Sequence, residues 1–206
     1  MVVVLEKRQK EANEKEKIVS KDAAVAQKIF SEVQELRNDC QSKLDEAMPI
    51  YHKAVAALNT LNKSDINEMK AYTTPPGPLK LVVEAVCLLL GKAESWEEGR
   101  KLMNDPTKFI QQLKSYDKDK IPQKILTKLK KYLKDPDFKQ EKIQSVSKAA
   151  VSLFMWVVAL DRYSAVMKVI QPKQKDLAVA EKKLKVADDD YNAKKATLQA
   201  ARDLVA

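Results

Sequence analysis

Two stretches of evenly spaced apolar residues, one towards each end of the chain, constrain its fold more than any other feature. The first runs from Ile29 to Leu61 in steps of three or four residues, and the second runs from Leu177 to Val205 in the same way. Such steps are typical of the packing seam of a coiled-coil helix. Each seam needs a partner, and the simplest is the other seam, in an antiparallel pair with the middle of the chain as the turn. Pairing with a second chain and packing in an ordinary bundle are the alternatives.

The first seam is irregular towards its end, where an extra four-residue step follows Cys40. Beyond that step two seams can be drawn, which differ by a small rotation of the helix. One uses Ala47, Tyr51, Ala54, Leu58 and Leu61, and the other uses Ala47, Ile50, Ala54, Ala57 and Leu61. The pattern predicts two packings of similar energy, and we expect residues 44–61 to face residues 173–190, including Leu177 and Leu184. The alternative is ordinary looseness in an alanine-rich coiled coil.

The middle of the chain has a different pattern, typical of short helices around a core. Residues 79–90 are apolar on nearly every face, as in a buried helix, and two consecutive prolines precede them. Asp65 and Glu68 resemble a capping pair, and a long helix is expected from near Phe138. With only 3 Gly in 206 residues and a third of all residues charged, we expect helices and no strands. The predicted domains are a first stalk helix (1–62), a globular domain (63–170) and a second stalk helix (171–206).

The composition excludes most catalytic chemistry. His52 is the only histidine, and Cys40 and Cys87 lie far apart, so no zinc or redox spacing can be formed. The three glycines cannot be arranged as G-x-x-x-x-G-K-S/T or as G-x-G-x-x-G, the phosphate-binding patterns. The longest uncharged apolar run, residues 149–160, is shorter than the roughly 20 residues that span a bilayer. We expect no catalytic site, no cofactor, no metal and no membrane span, in a soluble intracellular protein.

The positive charge is concentrated in the middle of the chain. Residues 1–72 are balanced, whereas residues 73–172 carry 18 Lys+Arg against 11 Asp+Glu, a net charge of +7. A basic tip favours an acidic polymer as partner, either a nucleic acid or the surface of a microtubule. Most aromatic residues fall at apolar helical positions, so core packing explains them better than base stacking. Lys124, Lys128 and Lys131 form a stripe that is either a contact surface or a solvated face. A structural hairpin without any other partner is the third possibility.

Several motifs occur in the order found in one known family. After Pro75 and Pro76 comes the most specific stretch, Leu79-Lys80-Leu81-Val82-Val83-Glu84-Ala85-Val86-Cys87-Leu88-Leu89-Leu90-Gly91. It is preceded by Leu44-Asp45-Glu46-Ala47-Met48-Pro49 and followed by Trp96, Trp156 and Pro172. Over nearly its whole length the chain resembles the stalk and microtubule-binding domain of dynein heavy chains.

The resemblance implies a compact bundle of about six helices at the tip of an antiparallel two-helix coiled coil. It also implies that α/β-tubulin of the microtubule is the partner, that the stalk joins the tip to the rest of the motor chain, and that ATP is hydrolysed elsewhere in that chain. In the family, sliding of the stalk helices is thought to change the affinity of the tip. A basic helical hairpin that binds nucleic acid is the alternative function.

The resemblance further implies a contact surface in three parts. Lys63 and Lys70 match basic contact positions of the first part, and Lys108 lies beside the place of a family arginine, which Pro106 occupies here. In the third part Glu141 matches a family glutamate.

Ser145 stands where cytoplasmic dyneins have an arginine, and Lys148 is nearly one turn further along and could supply that charge. This departure favours an axonemal dynein, in the cytoskeleton of a cilium, over a cytoplasmic one.

Overall fold

The computed structural model describes the backbone of residues 2–203 and the side chains of residues 6–203. Within these residues there are eight α-helices, one 3-10 helix and no strand, which confirms the predicted all-α fold. The helices are α1 (Val2–Asn59), α2 (Lys63–Lys70), α3 (Gly77–Leu89), α4 (Trp96–Leu102), α5 (Pro106–Lys114), α6 (Gln123–Leu133), α7 (Gln140–Val146) and α8 (Lys148–Asp203), with the 3-10 helix at Lys118–Lys120 between α5 and α6. The two long helices enclose six short ones, the number that the family resemblance implied.

The chain divides into two compact units. The stalk unit comprises the described parts of residues 1–42 and 170–206, and the tip unit comprises Lys43–Val169. Residues 43–62, predicted as stalk, therefore belong to the tip unit.

Ion pairs across the stalk unit establish the direction of its two helices. The Nη2 atom of Arg37 lies 2.6 Å from Glu181, Lys194 lies 2.9 Å from Asp22, and a further pair joins Lys173 to Asp39. As residue numbers fall along α1 they rise along α8, so the helices are antiparallel within one chain.

The seam of the stalk unit consists of one buried residue in every seven on α1. The buried residues are Ala12, Val19, Ala26, Val33 and Cys40. On α8 the same spacing links Ile170 and Leu198, which are buried, through half-buried Leu177, Leu184 and Tyr191. This seven-residue repeat is the geometry of a coiled coil, and it extends further towards the N-terminus than the seam read from the sequence.

The core of the tip unit forms around α3, eight of whose residues are buried. Helices α4, α6 and α7 pack against α3, and α2 packs against α5. By length and composition α8 is apolar enough to cross a membrane. Its apolar stretch, however, supplies Leu153, Trp156, Val157 and Leu160 to this core, where each is fully buried, and core packing explains its composition.

Two helix boundaries differ from the sequence prediction. The capping box of α2 is formed by Asn62 and Asp65, each bonded to the backbone N–H of the other, and not by Asp65 and Glu68. The long helix expected from near Phe138 is interrupted, because Ser147 adopts an extended conformation between α7 and α8. The Ser147 hydroxyl accepts a hydrogen bond from the N–H of Ala150, which is a helix cap that restarts α8.

Candidate functional site

The first predicted contact element, α2, is a short helix held firmly to the core. Ile66 and Met69 are fully buried, and the capping box fixes its first turn. Lys63, its first residue, is exposed, and Lys70, its last, is half-buried. Neither lysine makes an ion pair with the described residues, so both charges remain available to a partner.

The second element is α5, whose start is defined by local chemistry. The Asp105 carboxylate accepts a hydrogen bond from the N–H of Lys108 at 3.0 Å, and Pro106 occupies the first turn, where no N–H is needed. Buried Phe109 and Leu113 anchor the helix. The Lys108 side chain is exposed and has no acidic partner among the described residues. Because α5 packs against α2, the structure brings together the elements that carry Lys63, Lys70 and Lys108.

The third element spans the break between α7 and α8. Glu141, Ser145 and Lys148 are all exposed, and α7 is anchored against α3 through fully buried Ile143. The Ser145 hydroxyl donates a hydrogen bond to the carbonyl of Lys142 at 2.7 Å, so it is already used within its own helix. Lys142 of α7 is paired with Asp137, whereas Lys148 makes no ion pair with a described residue, so its charge remains available at this break.

The residues predicted to define the stalk register lie in both units. Ala47, Ala54 and Leu61, common to the two possible seams, are buried and continue the seven-residue spacing. Of the residues that distinguish the seams, Leu58 is fully buried, whereas Ile50, Tyr51 and Ala57 are half-buried. The observed packing therefore uses the seam that contains Leu58.

The partner of this seam on α8 is not the predicted one. The ring of Tyr51 lies 5.8 Å from the ring of Tyr163, centroid to centroid. Leu177 and Leu184 belong to the stalk unit, whereas residues 44–61 belong to the tip unit, so the predicted pairing of residues 44–61 with residues 173–190 is not found within either unit. The part of α8 that packs beside Tyr51 is the part around Tyr163, which precedes residue 173.

Sequence reasoning missed a group of four side chains in the tip unit: Tyr51, Lys118, Asp119 and Tyr163, here called the tyrosine cluster. The Tyr163 hydroxyl donates a hydrogen bond to Asp119 at 2.5 Å, and the Lys118 ammonium lies 3.0 Å from the other Asp119 oxygen. The same ammonium lies 5.0 Å from the ring centroid of Tyr163 and 5.5 Å from that of Tyr51, within cation–π range. The cluster thus joins the 3-10 helix to both long helices.

The electrostatics of the tyrosine cluster favour a charged Asp119, a charged Lys118 and a neutral Tyr163. The hydrogen bond from Tyr163, supported by Lys118, lowers the pKa of the Asp119 carboxyl. Burial and the negative charge of Asp119 raise the pKa of Tyr163. Burial acts to lower the pKa of Lys118, but its bond to Asp119 and the nearby tyrosines outweigh burial and raise it. Only Tyr51, at a seam position, gave any signal of this cluster in the sequence.

The lysine stripe on α6 is partly neutralised within the molecule. Lys128 lies 2.5 Å from Glu94, which also accepts a hydrogen bond from the Tyr132 hydroxyl at 2.9 Å. The hydrogen bond from Lys128, with that from Tyr132, holds the pKa of Glu94 below its usual value despite partial burial. Lys124 and Lys131 make no ion pair with the described residues.

Among the described residues no group of three His, Cys, Asp or Glu side chains could hold a metal ion. Cys40 and Cys87 are buried and unpaired, and burial raises the pKa of the Cys87 thiol to about 12. The candidate site is therefore a set of exposed or half-buried lysines on anchored helices, which suits binding of an acidic surface.

Comparison with known proteins agrees with the resemblance seen in the sequence. A family model described as the microtubule-binding stalk of dynein motor matches residues 1–205. Dynein axonemal heavy chain 3 of Mus musculus is 38% identical over 212 residues, which cover 95% of this chain and 5% of that protein. The Dynein-1-beta heavy chain of the flagellar inner arm I1 complex of Chlamydomonas reinhardtii is 39% identical over 136 residues, 66% of this chain and 3% of its own.

A solved structure titled Microtubule Binding Domain of DYNEIN-C has a similar fold. It superimposes with a TM-score of 0.58 at 32% sequence identity, and the match covers 65% of this chain and 95% of that one. This chain corresponds to only about 5% of the length of its axonemal relative from mouse, namely the stalk part and not the ATPase part. These relatives are motor proteins, and they give no support to the nucleic-acid interpretation. The chain belongs to the family of microtubule-binding stalks of dynein motors.

Proposed function

We propose that this chain is the part of an axonemal dynein that binds the microtubule. The observation that carries the proposal is a set of four lysines, Lys63, Lys70, Lys108 and Lys148, which have no ion partner among residues 6–203 and lie on helices anchored by buried side chains. Their partner is the acidic surface of α/β-tubulin. The net charge of +7 on residues 73–172 adds long-range attraction. The solved domain named above supports this assignment by its title and fold.

The proposal also places the chain within a larger protein. The stalk, in the predicted division residues 1–62 and 171–206, connects the tip to the rest of the motor chain, which hydrolyses ATP. This part is itself non-catalytic and needs no cofactor. The axonemal relatives favour a location in the cytoskeleton of a cilium or flagellum.

Charge reversal at two of the four lysines tests the proposal. Lys63→Glu combined with Lys108→Glu should weaken co-sedimentation with microtubules by about tenfold or more, because two favourable charge contacts become repulsive. Lys92→Glu combined with Lys182→Glu is the matched control, with the same change in net charge at exposed positions outside the three contact elements. Circular dichroism should be unchanged for all variants, since exposed substitutions shift stability by about 0.5 kcal/mol or less. Equal binding by both double variants would contradict the assigned surface.

We propose, in addition, that the affinity of the tip depends on the register of α1 against α8. The two candidate seams differ at neighbouring positions, and Ile50 and Tyr51 are both half-buried. A cavity of about 480 Å³ lies beside Ile50 and is lined by Phe138, Phe154 and Val158, which leaves room for α1 to rotate. The tyrosine cluster would hold the observed register and would have to open for the other one.

Disulfide trapping tests the dependence on register separately from the ability to bind microtubules. With Cys40 and Cys87 first replaced by Ser, Tyr51→Cys is paired with Tyr163→Cys for the observed register. In two further variants it is paired instead with Ala159→Cys or Met167→Cys, about one helical turn to either side. Microtubule affinity should differ severalfold between the cross-linked forms and converge when each is reduced. Equal affinities in all cross-linked forms, with cross-linking confirmed by mass, would refute the register dependence and leave microtubule binding intact.

A further inference from the structure

A groove between α6 and α8 in the tip unit has no role in the three contact elements. Its volume is about 370 Å³, and it is lined on its apolar side by Leu126 and Ala165. Lys131, Lys134 and Lys168 also line it. The groove therefore combines an apolar surface with a concentration of positive charge.

The lysines that line the groove exceed the acidic side chains that could neutralise them. Asp161 is the one acidic lining residue, and it is already neutralised by Lys130, whose ammonium lies 2.8 Å from its carboxylate. Lys131, Lys134 and Lys168 make no ion pair with the described residues. Helix α6 itself contains no acidic residue.

A hydroxyl group in the groove also lacks a partner. The Oγ atom of Ser164 is buried and makes no hydrogen bond with any described residue. Ser164 lines the groove, and rotation about its χ1 would turn the hydroxyl towards a carboxylate or backbone carbonyl of a ligand lying there. An unpaired buried hydroxyl is unfavourable, and such an acceptor would relieve that cost.

The shape and chemistry of the groove favour an extended acidic peptide over a nucleic acid. No aromatic side chain lines it, so it offers no surface on which bases could stack. Lys131 lies in the last turn of α6, and Lys134, three residues on, caps the end of that helix in a helical conformation, which places their Cβ atoms about 5–6 Å apart. Alternate side chains of an extended chain repeat at roughly 6.6 Å, so glutamates at alternate positions can meet neighbouring lysines, with their methylene groups against Leu126 and Ala165.

We infer that the α6–α8 groove binds the glutamate-rich C-terminal tail of tubulin, as a second contact separate from the folded microtubule surface. This inference rests on the proposed microtubule binding. The tail contact adds to the affinity contributed by Lys63, Lys70, Lys108 and Lys148, and it is the more sensitive to salt because a flexible tail is bound mainly through exposed charges.

The first test uses a fluorescein-labelled peptide of ten residues with alternating glutamates and the full chain, with fluorescence anisotropy as the readout. Lys131→Glu/Lys134→Glu should weaken binding by about tenfold, and the neutral pair Lys131→Gln/Lys134→Gln should weaken it less. Lys182→Glu/Lys183→Glu, with the same change in net charge on exposed positions of α8, should bind like the wild type. Equal weakening by this control pair would overturn the groove assignment. Displacement of the peptide by a single-stranded RNA at lower concentration would also overturn it.

The second test compares intact microtubules with microtubules whose tails have been removed by limited proteolysis. The wild type should bind the tail-less microtubules severalfold more weakly, whereas Lys131→Glu/Lys134→Glu should bind both kinds equally. A double variant that still loses affinity on tail removal would place the tail contact elsewhere and refute the inference. If the wild type failed to bind either kind of microtubule, the proposed function itself would be wrong, so the two failures are distinguishable.

Discussion

The tyrosine cluster makes a specific prediction about stability. Tyr163→Phe removes only the hydroxyl that donates to Asp119 at 2.5 Å, and it keeps the ring, which is 4% exposed and packs beside Tyr51. A hydrogen bond to a charged group contributes about 1.5–3 kcal/mol when it is shielded from solvent. Half of the Asp119 side chain is exposed, and Lys118 remains to pair with it, so we expect a loss of about 1 kcal/mol in the free energy of unfolding.

The loss should be visible in thermal unfolding and should depend on pH. For a chain of this size about 1 kcal/mol corresponds to a decrease in Tm of roughly 2–4 °C. The folded pKa of Asp119 is lowered, so the stabilisation is complete above the ordinary carboxyl value of 3.8 and is lost as the pH falls through the folded pKa. The difference in Tm between wild type and Tyr163→Phe should therefore be constant at neutral pH and should shrink at more acidic pH.

Tyr116→Phe is the matched control for the loss of a tyrosine hydroxyl. The Tyr116 ring packs edge-on against Trp156, with centroids 5.4 Å apart, and its hydroxyl makes no hydrogen bond with the described residues. This variant should change the free energy of unfolding by about 0.5 kcal/mol or less. Equal shifts in Tm for the two variants, or a Tyr163→Phe shift that persists at the most acidic pH where the chain is folded, would refute the role assigned to the Asp119 bond.

Three further predictions follow from single contacts. Gly99→Ala should lower the free energy of unfolding by about 1–3 kcal/mol in denaturant titrations, because a Cβ atom there would lie 2.1 Å from a methyl group of Val83; unchanged stability would show that α3 and α4 can separate. Asn62→Ala removes the cap shared with Asp65 and should cost about 1 kcal/mol in the same assay, whereas Asn62→Asp should cost less. Cys87 should resist iodoacetamide at pH 8 in the folded protein, because burial raises the pKa of its thiol to about 12, and it should react in denaturant. Peptide mass spectrometry would locate the label, and rapid labelling of Cys87 in the folded protein would contradict its burial.

The sequence was sufficient to predict the all-α fold, the antiparallel stalk and the central helix α3. Each of these rests on a local or periodic signal. The seams repeat every seven residues, the apolar run over residues 79–90 has no polar face, and the consecutive prolines before it exclude a continuous helix. Such signals are carried by neighbouring residues along the chain and do not depend on which distant residues meet. The contact residues Lys63, Lys70 and Lys108, in contrast, were assigned from the family resemblance and not from a local pattern.

The alignment of the two long helices could not be derived in this way. It depends on contacts between distant residues, such as Arg37 with Glu181 and Lys194 with Asp22, which form only when the helices pack. The sequence pattern of residues 138–160 is equally compatible with an unbroken helix, so the break at Ser147 was not visible in it either. Only packing in three dimensions places Tyr163 beside Tyr51.

The tertiary structure was likewise needed to show which charged side chains are paired with one another and which are not. Lys128 and Lys131 are equivalent by their spacing on α6, yet the first is paired with Glu94, 34 residues away in the chain, and the second is not. Asp119 and Tyr163 are 44 residues apart and still form one hydrogen bond. The energy of such pairs depends on distances that arise only when the core brings α3, α6 and α8 together, and no local pattern in the sequence records them.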